Sequence, residues 1–93
     1  MNKLVTLKTI SGDEIIGRLV ETTNEEKELG LIKLSEPFAI ILTQQGAGLM
    51  PLLIASKSKE IPIFMSALLT PPIEANKEIE DAYIKQTSGL VFN

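Results

Sequence analysis

The most closely spaced cations in this 93-residue sequence are Lys57 and Lys59, in the stretch "SKSKE" between two apolar runs. Lysine ammonium groups on flexible stems act as point charges for phosphate. If an assembly repeated such a loop by symmetry, it would form a collar of positive charge even on an acidic subunit. The competing explanation is a solvated loop whose charges keep its apolar flanks soluble. Gln44 and Gln45 flank the glycines of "QQGAG"; their amides can hydrogen-bond a base edge, or they can simply form a turn. Base stacking, the other requirement for single-stranded nucleic acid, needs aromatic faces. The chain has four aromatics: Phe38, Phe64, Tyr83 and Phe92. Phe38 and Phe64 lie inside apolar strand-like runs and are expected in the core, as is Tyr83 on a helical stripe.

Other chemistries lack their residues. There is no cysteine and no histidine. This excludes disulfides, thiolate nucleophiles, zinc knuckles and the usual neutral-pH base. A metal site would have to be built from carboxylates alone, and these are scattered, so neither metal nor cofactor is expected. Asp13 and Glu14 are adjacent, and neighbouring strand residues point to opposite faces, so they do not converge as an acid–base pair. Neither Ser56-Lys57 nor Ser58-Lys59 has the spacing of a serine–lysine hydrolase. "SGDEIIG" lacks a glycine and a following helix for a phosphate loop. No enzyme is expected. The net charge of −3 gives no overall basic footprint. Glu25, Glu26 and Glu28 would themselves repel phosphate.

The elements that must position these residues are mostly strands. A chain of this length forms one domain, with residues 1–69 in the sheet. "KLVTLKTI" alternates as a half-buried strand, Ser11-Gly12-Asp13 is a turn, and "EIIGRLVETT" returns as the second strand of a hairpin. Gly17, inside that strand, marks a bulge, a sharp bend or a close backbone approach. "NEEKELG" reads as an acidic loop, and "LIKLSEPFAIILT" as a third strand in two halves, broken near Glu36-Pro37. "LMPLLIAS" and "IPIFMSALLT" make the fourth and fifth, and short connections of this kind predict an antiparallel barrel or meander. Residues 76–89 then predict a helix, with Asn76 as N-cap, Gly89 at C′, and Ile79, Ala82 and Tyr83 as its apolar stripe. The tail Leu90, Val91 and Phe92 is expected to dock. No apolar run approaches the length of a membrane helix, and the alternating N-terminus is not a signal peptide, so a cytoplasmic protein is expected.

Pro51 and Pro62 sit near the starts of the last two strands. Proline cannot donate to a ladder, so both strands are expected at edges. Edges normally carry protective charge, yet "LMPLLIA" and "IPIFMSALL" have none. Unguarded apolar edges favour pairing with another copy of the chain. Head-to-tail pairing closes into a ring if the rotation allows. Met50, Leu52, Ile54, Ile61, Ile63 and Met65 are the expected interface, and a covered monomer is the alternative.

"VTLKTISGDEIIGRLVE" resembles the first motif of Sm and Sm-like proteins (the group that includes the bacterial host factor), in which a strand, a glycine turn and a Gly-x-apolar segment form the first hairpin. Gly12, Gly17, Leu19, Val5 and Leu7 fall on that pattern. The whole chain, including "GLMP" and "AYIKQTSG", is similar to small phage-encoded Sm-like proteins. The resemblance implies an all-β fold, a small five-stranded antiparallel Sm-like barrel followed here by a C-terminal helix. It also implies a homo-oligomeric ring that binds single-stranded RNA, with a scaffolding ring as the alternative. In the family an Asp and an Asn after the first motif contact the base. Here that region is the longer "ETTNEEKELGLIKL", and Asn24 is the nearest equivalent. The family's second motif places Arg-Gly or Lys-His between strands four and five; Lys57 and Lys59 are the counterparts by order. The family helix precedes the barrel, whereas this one follows it.

Overall fold

The computed structural model describes residues 3–53 and 57–88. Strands β1 (Lys3–Lys8) and β2 (Glu14–Val20) form the first hairpin, with Lys8 opposite Glu14. Its turn is made by Gly12 at φ 98°, a left-handed conformation that glycine adopts without a Cβ clash. The Thr9 hydroxyl accepts from the Asp13 N–H at 3.2 Å. Helix α1 (Asn24–Glu28) follows, then the long β3 (Leu31–Thr43), β4 (Gly46–Pro51) and β5 (Glu60–Phe64). A 3-10 turn at Met65–Ala67 leads to the two-residue β6 (Ile73–Glu74), and α2 (Lys77–Ser88) is the last described element.

All six strands pair antiparallel in one sheet, in the order β4-β3-β2-β1-β6, with β5 also on β3. Six strands therefore replace the expected five, but they occupy five positions. β4 pairs with Phe38–Thr43 and β5 with Leu31–Ser35, along the edge of β3 that β2 does not use. They are two halves of one strand position, parted between Pro51 and Glu60, opposite Glu36 and Pro37. Both ends of that excursion are tied down: Leu52 N–H donates to the Pro37 carbonyl at 3.0 Å and Glu36 N–H to the Lys59 carbonyl at 2.6 Å. Past the 3-10 turn, Leu68 bridges Thr9 and the chain runs along β1 into β6. Among the described residues no ladder joins the β4/β5 edge to the β6 edge, so the sheet is open and not the closed barrel expected.

The sheet buries both faces. On the inner face Val5, Leu7, Ile15 and Leu34 form the core. Leu52, Ile63 and Leu68 pack onto it, bringing both ends of the sheet to one cluster and curling it strongly. On the other face Ile16, opposite Phe38 and fully buried, lies under the side that α2 covers through Tyr83. Consecutive Ile15 and Ile16 are both buried because a strand of period two presents them to two different layers.

Gly17 is at the close approach expected of it. The β2–β3 register shifts between Ile16 and Arg18, and a Cβ at Gly17 would lie 3.2 Å from Leu34 Cβ and 3.2 Å from Pro37 Cα. Those neighbours are backbone or next to it, in a packed layer, and have little room to yield. Gly17→Ala is expected to lower unfolding stability by about 1–3 kcal/mol. Urea denaturation measures this; an unchanged midpoint would mean that the layer relaxes freely.

Candidate nucleic-acid interface

The expected acidic loop is a short helix. Thr23 caps α1: its hydroxyl accepts from Glu26 N–H at 3.1 Å, and the Glu26 carboxylate accepts from Thr23 N–H at 2.8 Å, a reciprocal capping box. The Thr23 amide and the Lys33 ammonium, 3.1 Å away, hold the Glu26 carboxyl below the usual carboxylate range. Lys33 also approaches Glu60 at 3.9 Å, so this cation is occupied within the fold. Asn24, the first residue of α1, is exposed.

Lys57 and Lys59 are exposed on the excursion between β4 and β5. They line an open cleft of about 280 Å³ whose apolar side includes Phe38, Pro51 and Leu53. Glu36 lies in the same cleft. Neither lysine makes a salt bridge among the described residues. Gln44 is exposed in the β3–β4 turn, which is two residues long; the glycines expected to extend that turn belong to β4. Asn24, the lysine pair and Gln44 thus lie before the start, at the middle and beyond the end of the 13-residue β3. The fold does not gather them into one patch.

The order of loops differs from that implied by the family resemblance. Lys57 and Lys59 interrupt the fourth sheet position. The connection from the fourth to the fifth is the 3-10 turn Met65–Ala67, which has no charged side chain. This turn lies beside the end of α1, where Met65 N–H donates to the Gly30 carbonyl at 2.7 Å.

Strand alternation also redistributes the expected interface and core residues. Ile61 is buried opposite Leu34, and Leu52 and Ile63 pack on the inner cluster, so all three serve the protomer's own core. Met50 and Met65 are exposed, and Ile54 lies outside the described residues, as does the tail expected to dock. Phe64, expected in the core, is 60% exposed because β5 turns Ile61 and Ile63 inward and Phe64 outward.

A second cleft, larger than that of Lys57 and Lys59, was not evident from the sequence. It measures about 620 Å³ and is lined by Lys3, Leu19, Val20, Glu21, Thr22 and Lys27, with Ile32. Lys3 and Lys27 border one cleft because β1 pairs with β2 and α1 packs on β3. No local pattern signals that placement. Among the described residues there is no group of three or more His, Cys, Asp and Glu able to hold a metal ion, and no helix long and apolar enough to cross a membrane.

Tyr83 holds Phe38 and Glu36 where they border the lysine cleft. Its hydroxyl is shared between the Glu36 carbonyl at 2.8 Å and the Ser35 carbonyl at 3.1 Å. Its ring meets Phe38 edge-to-face at 5.8 Å, and the Arg18 guanidinium lies 5.5 Å from its centroid. The sequence matches no family model and no curated protein.

Burial, assisted by the charge of Glu36 and opposed by Arg18, pushes the Tyr83 phenol up to about 12. A free tyrosine loses its proton near pH 10. The stabilisation that comes from keeping Tyr83 neutral is therefore complete below pH 10 and is lost as pH rises toward 12. Tyr83→Phe is expected to lower stability by about 1–3 kcal/mol at neutral pH, because two carbonyls lose their donor. It should also remove much of the alkaline decline. Urea midpoints followed from pH 8 to pH 12 for both proteins check this; parallel curves would rule Tyr83 out as the alkaline-sensitive group.

Proposed function

We propose that this protein is the protomer of an Sm-like homo-oligomeric ring that binds single-stranded RNA. The observation that carries the reading is a sheet with two edges that have no partner among the described residues and are rich in apolar side chains. Along the β4/β5 edge, Met50, Phe64 and Met65 are 46–60% exposed. Beside the β6 edge, Leu69 and Ile73 are 63% and 53% exposed. Pairing the first edge of one copy with the second edge of the next is a heterologous contact that repeats and, with the right rotation, closes. Five sheet positions, a strand bent at its middle and a 3-10 turn feeding the last segment onto β1 agree with a small Sm-like barrel completed by its neighbours. In a ring the cleft of Lys57 and Lys59 recurs once per subunit. It offers phosphate a circle of ammonium groups with Phe38 among its lining side chains.

A second reading, a scaffolding ring without RNA, is favoured by the uncharged Met65–Ala67 turn and the acidic α1 beside it. Light scattering coupled to size exclusion tests the ring, and a monomer at micromolar concentration would sink both readings. Binding of short U-rich and A-rich RNA at two salt concentrations separates them. Lys57→Ala/Lys59→Ala is expected to weaken binding by roughly tenfold at low salt and to flatten the salt slope by about 1.4 per bound subunit. A ring that binds no RNA, or binds it regardless of these lysines, points to the scaffold.

A further inference from the structure

We infer that the cleft between β1, β2 and α1 binds a nucleoside monophosphate unit, with its phosphate between Lys3 and Lys27 and its base on Leu19 and Ile32. The cleft volume, about 620 Å³, is in the ordinary range for small-ligand sites. Lys3 and Lys27 make no salt bridge among the described residues, in contrast to Lys33 nearby, which is engaged by Glu26 and Glu60. Lys3 is anchored by the pairing of its backbone with Leu19. Lys27 is carried by α1, which the Thr23–Glu26 capping box and the Glu26–Lys33 ion pair hold in place.

The other lining groups narrow the ligand. Leu19 and Ile32 also pack against the inner core, so the apolar floor is fixed before a ligand arrives. A bare phosphate would leave that floor uncovered. An uncharged nucleoside would leave both ammonium groups unused. Glu21 and the Thr22 hydroxyl, on the same wall, can accept hydrogen bonds from ribose hydroxyls. The Glu21 carboxylate also offsets one ammonium, which suits a single phosphate better than a polyphosphate. This site lies at Ile32 on β3, apart from the lysine cleft at Glu36–Phe38, so the two can be tested separately.

The test is an amide-resolved NMR titration of the full chain at low salt with adenosine monophosphate. Adenosine and inorganic phosphate serve as controls. Adenosine monophosphate is expected to shift the amides of Leu19, Val20, Thr22 and Ile32. Lys3→Gln/Lys27→Gln should weaken that binding by roughly tenfold or more. Both positions are exposed, and unchanged amide dispersion would verify the fold of the variant. Lys57→Ala/Lys59→Ala should leave the titration unaltered even if it abolishes RNA binding. A short RNA oligomer distinguishes the source of the unit: shifts of the same amides by the oligomer alone assign the cleft to a terminal nucleotide, and shifts by the mononucleotide assign it to a free ligand. No shift with either ligand, equal binding of inorganic phosphate, or binding unaffected by Lys3→Gln/Lys27→Gln would overturn the inference.

Discussion

The bend of β3 at Glu36–Pro37 is the constraint from which the rest of the structure follows. Glu36 is the one non-glycine residue with positive φ among the described residues, at 48°, and it stands directly before a proline. A conformation of that kind costs on the order of 1–3 kcal/mol and persists only where its surroundings hold it. Here the Glu36 amide donates to Lys59, its carbonyl accepts from Tyr83, and the Pro37 carbonyl accepts from Leu52. The hydrogen bonds that a straight strand would direct along its edge go instead to the excursion and to α2.

Several features depend on that bend. The edge of β3 can hold β4 and β5 in succession. The sheet curls, so that Leu52, Ile63 and Leu68 reach the cluster around Leu34. Close passage of β2 over the bend leaves only tight space for a Cβ at Gly17, 3.2 Å from Leu34 Cβ and from Pro37 Cα. On the opposite face the bend presents two carbonyls to a single phenol, which anchors α2 over Phe38 and Ile16. The helix is thus joined to the strand geometry by hydrogen bonds as well as by apolar contact.

Charge is distributed unevenly on this frame. The cation on β3 itself, Lys33, is neutralised by Glu26 and Glu60 and steadies α1. The lysines that border clefts, Lys3 with Lys27 and Lys57 with Lys59, have no such partner among the described residues. An acidic chain can in this way keep two local positive sites. Its apolar side chains divide similarly: alternation along β5 turns Ile61 and Ile63 into the core and Phe64 outward.

Local chemistry alone determined the first hairpin, through the Ser11-Gly12-Asp13 turn. It also determined the close approach at Gly17, the bend at Glu36–Pro37, and the start of α2, where the Asn76 side chain accepts from Ile79 N–H at 2.9 Å. Pro51 and Pro62 correctly marked edge strands, because a missing donor is a property of the residue wherever it lies. The Thr23–Glu26 capping box was also legible, but was hidden by the acidity of "NEEKELG". Only the tertiary structure decided that the Lys57–Lys59 segment interrupts a strand position, that Phe64 faces outward, and that Lys3 and Lys27 border one cleft. Each of these depends on which strands pair and in what register, and that is a sum over contacts distant in sequence. A shift of one residue would exchange every inward side chain for its outward neighbour.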